Sequence, residues 1–359
     1  MTLDPVSRLL LDEAAAPAQA GPPPDGGAIL VIDDPGLANH LHAAGQPVQA
    51  YCDDLRDERD LALPALDALD EGGLAGVTLV LLRLPKSLGM LQDYAQRVAA
   101  FAGPEVRLLA GGRQKHITHT MNDVLAASFG VVRASLGRQK SRVLHASAPI
   151  PGGLSWPHTA TLDDLVVVSH AGAFAADRLD AGTRLLLHAL AGGDPVPGGH
   201  SGASRAVDLG CGTGILATWL ARQGHDVLAV DVSRAACASA RGTAAANGAR
   251  VEVRRDDTLA EPPGSVDLVV CNPPFHRGTT KDSTPGFDLL RGAIPVLAPG
   301  GELWAVFNSH LPYLPFLRTE VGPTRVVARD RHYTVTRSHR TAMTPGSVPA
   351  PDGEPTVDP

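Results

Sequence analysis

Two short stretches combine residue types and spacing that could do chemistry. The first is Asn272-Pro273-Pro274-Phe275, directly after the apolar run Val266-Asp267-Leu268-Val269-Val270-Cys271. An amino group conjugated to an aromatic ring is a poor nucleophile, because its lone pair is delocalised. The Asn272 side-chain oxygen and the Pro273 carbonyl can each accept one of its hydrogens. That pulls the nitrogen toward tetrahedral geometry and aims its lone pair at an electrophilic carbon such as a methyl group. The prolines stiffen the loop, so the acceptors are held in place before the reaction. Phe275 offers a face on which a base can stack, a contact worth about 1–3 kcal/mol in comparable sites. A rigid Pro-Pro turn with no further role is the plain alternative.

The second stretch is Asp208-Leu209-Gly210-Cys211-Gly212-Thr213-Gly214, at a strand-to-helix turn. Glycines let the backbone turn tightly and approach a ligand without a Cβ in the way. Gly210, Gly212 and Gly214 could equally serve a dinucleotide. Three carboxylates sharpen the reading. Asp208 precedes the turn, where it can hold an ammonium such as that of a methionine moiety. Asp231 ends the next strand, 23 residues on, where it can accept two ribose hydroxyls. Asp257 ends the third strand and could accept from an adenine amino group; its neighbour Asp256 fits the pattern less well. Together these residues describe an S-adenosyl-L-methionine site beside an amine-orienting loop. A sulfonium cofactor carries its own leaving group, so the chemistry requires neither a metal nor a covalent enzyme intermediate, and rate comes from in-line positioning. The competing reading is a tight turn with helix-capping acids.

Neighbouring residues carry less. His276 adjoins the motif and could contact the base or take its proton, or be a surface histidine. Phe174 and Arg184 could cover the cofactor, or belong to the core and surface of a helix. Trp304, Phe307 and Asn308 read as core and strand-end residues.

These loops need sheets to hold them. In the second half, strands are expected at Ala206–Leu209, Val227–Asp231, Val251–Arg254, Val266–Cys271 and Glu302–Asn308. Helices are expected at Ile215–Gln223, Arg234–Asn247 and through Phe287 to Leu297. This is the order of a doubly wound α/β fold. The first half repeats the alternation more faintly, with strands at 28–34, 77–82 and 107–110 and a helix from Ser87 to Ala102. It has Asp33-Asp34-Pro35-Gly36 where the second half has its glycine turn, so it reads as a positioning copy without a ligand loop. Residues 21–27 read as a loop, 192–204 as a flexible connector, and the Pro/Gly-rich tail after Arg340 as disordered.

The bulk numbers set limits. The 359 residues are 44% hydrophobic, enough for two domains, and no run is apolar enough to span a bilayer. The N-terminus lacks a secretory pattern. Cys52, Cys211, Cys237 and Cys271 are scattered, which argues against a zinc site or a disulfide framework. A soluble cytoplasmic protein follows, with no membrane or metal partner expected and a monomer as the expected state. The net charge of −7 hides a segregation. Residues 1–80 hold 3 basic and 14 acidic side chains, whereas 81–160 hold 10 basic and 3 acidic ones and 318–340 hold 6 arginines. Local fields matter more than the sum when a polyanion docks, although an arginine-rich composition alone would look similar.

At these residues the chain resembles the bacterial ribosomal RNA (guanine 2-amino) methyltransferases of the RlmG/RsmC family, over roughly residues 28–340. The resemblance rests on Asp208 to Gly214, on Asn272-Pro273-Pro274-Phe275-His276, and on Gly301-Glu302-Leu303-Trp304 leading to Asn308-Ser309-His310-Leu311-Pro312-Tyr313. In the first half it rests on Leu84-Pro85-Lys86-Ser87-Leu88 and Leu109-Ala110-Gly111-Gly112-Arg113. The large-subunit branch is the nearer one, on the 308–313 stretch and the Lys86 loop. The resemblance implies two tandem Rossmann-like class I methyltransferase folds: a degenerate copy over 1–148, a catalytic copy over 149–340, and a tail over 341–359. Only the second copy would bind S-adenosyl-L-methionine. The first would help grip ribosomal RNA or a ribosomal subunit precursor through Arg83, Lys86, Arg113 and Lys115, within a basic segment that also holds Arg133, Arg138, Lys140 and Arg142. The acidic first 80 residues and the tail depart from the family pattern. Rival readings are an adenine-amino or protein-glutamine methyltransferase, a nicotinamide-dependent oxidoreductase, and a non-catalytic RNA-binding assembly factor.

Overall fold

The computed structural model describes residues 3–16, 27–173, 179–192, 204–257, 259, 261–262, 264–273 and 284–341. Most of the expected connector, tail and 21–27 loop, together with Phe174, Pro274, Phe275 and His276, lie outside these residues.

The first half builds one sheet. Helix α1 (Pro5–Ala15) starts at Asp4, whose carboxylate accepts from the Val6 and Ser7 amides, with Pro5 at the first helical position. Then come β1 (Ala28–Ile32), α2 (Pro35–Ala43), β2 (Val48–Tyr51) and the short α3 (Leu55–Arg59) and α4 (Glu71–Leu74). β3 (Val77–Arg83), α5 (Leu88–Phe101), β4 (Arg107–Arg113) and α6 (His119–Ala126) follow, and β5 (Phe129–Ala134) and β6 (Ser141–Pro149) close the unit. The strand order is β2-β1-β3-β4-β6-β5. β1 to β4 are parallel and β6 and β5 antiparallel. The parallel strands are apolar on both faces because helices cover both: α5 and α6 pack on one side around Leu82, Leu91 and Val98, and α1 and α2 on the other around Leu10, Leu37 and Leu81.

A hairpin, β7 (His158–Leu162) with β8 (Leu165–Ser169), leads to α7 (Ala181–Gly192). The second sheet contains β9 (Arg205–Leu209), β10 (Asp226–Asp231), β11 (Val251–Arg255) and β12 (Val266–Cys271), with α8 (Ile215–Arg222) and α9 (Arg234–Ala246) between them. It ends with α10 (Thr284–Ala293), β13 (Leu297–Asn308), α11 (Tyr313–Glu320), β14 (Thr324–Arg329) and β15 (Tyr333–His339). Its order is β11-β10-β9-β12-β13-β15-β14, again parallel strands finished by an antiparallel pair. The two sheets therefore share one topology, and the first lacks a counterpart of β11. Trp304 and Phe307 are core residues, 1% and 2% exposed.

The helix expected to run to Leu297 ends at Ala293 instead. Pro295 lacks an amide hydrogen and pushes Ile294 out of the helical region, which frees the chain to enter β13. The pairs β5–β6, β7–β8 and β14–β15 go beyond the strands read from the sequence.

The degeneracy of the first sheet has a structural form. Asp33 follows β1 with a left-handed φ of 56°, as Gly210 follows β9 with φ 74°. Leu84-Pro85 follow β3 where Asn272-Pro273 follow β12. A leucine side chain accepts no hydrogen bond, so this copy lacks the side-chain oxygen that Asn272 supplies in the other. Half-buried Asp33 instead accepts from the Asp53 amide at 2.9 Å and the Tyr94 phenol at 2.9 Å. Burial pushes its carboxyl up to about 7.

The two sheets dock through equivalent segments. Residues 53–55, after β2, run antiparallel to 232–234, after β10. The Arg234 amide donates to the Asp53 carbonyl and the Leu55 amide to the Val232 carbonyl, both at 3.0 Å. The Asp53 side chain accepts from the Ala235 amide at 2.9 Å, helping to cap α9 from the other domain. Glu58 lies between Arg234 at 2.7 Å and Arg255 at 2.6 Å. Burial raises its carboxyl, but the two guanidiniums outweigh that and hold it below the usual range.

Candidate active site

The site lies at the carboxyl ends of β9, β10 and β12, where the strand order reverses and a doubly wound sheet opens a crevice. Gly210, Gly212 and Gly214 have φ values of 74°, 53° and 75°, a region that residues with a Cβ rarely enter. A Cβ on Gly214 would stand 2.6 Å from the Ala240 Cα, so this glycine also lets α8 and α9 close together. The turn is pinned by amide bonds from Gly210 to the Val230 carbonyl at 2.9 Å and from Gly212 to Asp231 Oδ2 at 3.0 Å.

The three strand-end carboxylates have different surroundings. Asp208 lies under the turn, 1% exposed, and accepts from the Ala217 amide of α8 at 2.9 Å. Burial pushes its carboxyl up to about 7. Asp231 accepts from the Gly212 and Ser233 amides, one on each oxygen, and burial raises its pKa. Asp257 follows β11 and meets the Arg59 guanidinium of the first domain. Cys211 and Cys271 beside the turn are buried and their thiols pushed up, so neither supplies a thiolate.

Asn272 stands next to the turn: with Asp180, Thr183 and residues 210–213 it lines one pocket. Its amide nitrogen donates to Asp180 Oδ2 at 3.1 Å and to Thr183 Oγ1 at 3.0 Å. A carboxylate can only accept, so this pairing fixes which end of the amide is which. The opposite end, Oδ1, is buried and has no hydrogen-bond partner among the described residues. A buried acceptor left without a partner costs about 1–3 kcal/mol unless a ligand or an ordered water completes it. Asp180 and Thr183 were not legible as site residues. They lie 92 and 89 residues upstream in no recognisable motif.

The basic residues separate. Arg113, Lys115 and Lys140 surround one surface cavity at the β4 and β5–β6 ends, and all three are exposed, as is Lys86. Arg83 is not part of that surface. Its guanidinium reaches Asp34 Oδ2 at 2.9 Å and Asp4 Oδ2 at 2.5 Å, tying α1 to β3. Among the described residues there is no group of His, Cys, Asp or Glu able to hold a metal and no helix long and apolar enough to cross a membrane.

Sheet order, glycine turn and Asn-Pro loop together define a class I methyltransferase fold. Residues 164–337 match the Methyltransferase small domain family, and 55–149 match the RLMG N-terminal domain. The Ribosomal RNA large subunit methyltransferase G of Streptomyces coelicolor is 39% identical over 278 residues, 73% of this chain and 72% of the relative. That of Streptomyces griseus is 34% identical over 363 residues, covering 93% and 92%. The solved T. thermophilus 16S rRNA N2 G1207 methyltransferase (RsmC), in complex with AdoMet and guanosine, shares the fold with a TM-score of 0.76. It is 24% identical and aligns over 94% of this chain and 92% of its own. The chain belongs to the ribosomal RNA large subunit methyltransferase G family.

Proposed function

We propose that this protein transfers the methyl group of S-adenosyl-L-methionine to the exocyclic 2-amino group of a guanine in ribosomal RNA. The observation that carries the reading is Asn272 Oδ1: a buried oxygen without a partner among the described residues, beside the glycine turn, on an amide whose nitrogen is already spent. An amino hydrogen of a base is the donor such an atom lacks. The Pro273 carbonyl would take the second hydrogen, and Phe275, with His276 beside it, would contact the ring.

The residues present suit the cofactor. Left-handed φ values at Gly210, Gly212 and Gly214 turn the chain tightly at the strand end, and residues 210–213 line the pocket beside Asn272. Asp208, buried beneath the turn, would favour the methionine ammonium through its charge and by fixing the turn, while Asp231 would take the ribose hydroxyls and Asp257 the adenine amino group. When bound, the cofactor supplies an electrophilic methyl on a sulfonium. Everything else falls to the chain, which aims the amine, excludes water and holds the acceptors rigid. Arg113, Lys115 and Lys86 would meet phosphates of ribosomal RNA or of a subunit precursor. The reading makes the protein a cytoplasmic enzyme that acts as a monomer.

Asn272→Ala is expected to lower turnover by about 100-fold or more while cofactor affinity stays within about threefold of wild type. The assay is methyl transfer to unmodified ribosomal RNA, run beside adenine-containing and peptide acceptors. Retained turnover in that variant, or a preference for adenine or peptide, would overturn the assignment.

A further inference from the structure

Helix α3 belongs to the first sheet, yet its last residue reaches the second. One arm of the Arg59 guanidinium meets Asp257 Oδ1, and the other lies 3.1 Å from Asp256 Oδ1. The two carboxylates are linked to the rest of the site through backbone. The Asp257 amide donates to Asp256 Oδ1 at 2.8 Å, and the Asp256 amide donates to the Asp231 carbonyl at 3.0 Å. The preceding residue, Glu58, is clamped by Arg234 and Arg255. The guanidinium is therefore presented from an anchored helix, although Arg59 itself is half exposed. A planar fork touching two carboxylates sets their direction as well as their charge. Asp257 Oδ2 is left with no hydrogen bond among the described residues, and it lies beyond the third strand of the cofactor crevice.

We infer that Arg59, supplied by the degenerate domain, is a positioning residue for the adenine end of the cofactor site: it takes one oxygen of Asp257 and leaves the other to accept from the adenine 6-amino group. The inference rests on the proposed role of Asp257. It gives the first domain a part in cofactor recognition as well as in RNA contact. Affinity and domain docking are then coupled through a single side chain.

The test is an equilibrium titration of the full chain with S-adenosylhomocysteine and with S-inosylhomocysteine, which carries a 6-oxo group in place of the amino group. Arg59→Met keeps length and removes charge. It is expected to weaken the amino ligand about fivefold, the upper end of what an exposed ion pair carries, and to leave the 6-oxo ligand unchanged. The unchanged ligand also reports that the variant is folded. Wild-type affinity for both ligands, or an equal loss for both, would overturn the inference, the latter because it signals mere loosening of the domains. Asp257→Ala separates the two layers. If it abolishes the preference for the amino ligand while Arg59→Met preserves it, the inference fails and the Asp257 reading stands. If the preference survives in Asp257→Ala, both fall together.

Discussion

The orientation of Asn272 depends on a residue outside the Asn-Pro loop, and Asp180→Ala tests that dependence. Asp180 Oδ2 accepts from the Asn272 amide nitrogen at 3.1 Å, and Thr183 Oγ1 provides a second acceptor at 3.0 Å. A hydrogen bond to a charged acceptor contributes about 1.5–3 kcal/mol and a neutral one about 1 kcal/mol. Removing Asp180 therefore takes away about 2 kcal/mol of preference for the oxygen-outward amide. A flipped amide would present two N–H groups to an amine that itself needs acceptors. With about 1.4 kcal/mol per tenfold in rate, kcat is expected to fall by about 10- to 100-fold. KM for the cofactor should move by less than about threefold, because the amide orientation concerns the acceptor base. Asp180 Oδ2 also accepts from the Thr183 amide at 3.1 Å in the first turn of α7, so the variant should lose about 1 kcal/mol of stability. Asp180→Asn supplies the control: it keeps a carbonyl oxygen in place and is expected to recover kcat to within about fivefold of wild type. The assay is single-turnover methyl transfer to unmodified ribosomal RNA, with thermal unfolding measured alongside. Wild-type kcat in Asp180→Ala, or an Asp180→Asn variant as slow as Asp180→Ala, would refute the orientation argument.

Two further outcomes follow from the same geometry. Gly214→Ala places a Cβ 2.6 Å from the Ala240 Cα at a φ of 75°, so strain and overlap should cost about 2–4 kcal/mol in urea unfolding and weaken cofactor binding in titration. Asp33 and Asp208 both have carboxyls pushed up to about 7 by burial, above their unfolded values near 3.8. The native state thus holds extra protons between about pH 4 and about pH 7, and stability to urea should fall as pH rises through that window. Asp33→Asn should flatten the slope, and an unchanged slope would show that Asp33 is not the titrating group.

The residues of the site were legible to the extent that local backbone and local chemistry demand particular types. Three left-handed φ values within five residues after a buried strand favour glycine, so the turn at Gly210, Gly212 and Gly214 was legible as a turn. An Asn-Pro unit directly after a buried apolar run reads as a rigid loop at the sheet edge, and Asn272 and Pro273 lie there, after β12. The alternation of apolar strands with helical runs gave the doubly wound order because parallel strands are buried on both faces. The terminal antiparallel pairs were harder to read. Their outer strands lie largely in solvent, as β5 and β14 show, so no regular apolar period marks them in the sequence.

By itself the sequence determined that a rigid Asn-Pro loop and a glycine turn follow neighbouring strands, because each is set by a few contiguous residues. Only the tertiary structure decided which way the Asn272 amide faces, since its acceptors are nearly a hundred residues away. It also decided that Arg83 serves α1 and that Arg59 crosses to Asp257. A charged residue type states that a partner is wanted; the fold chooses the partner, because electrostatic energy depends on distance and burial, neither of which is written in the order of residues.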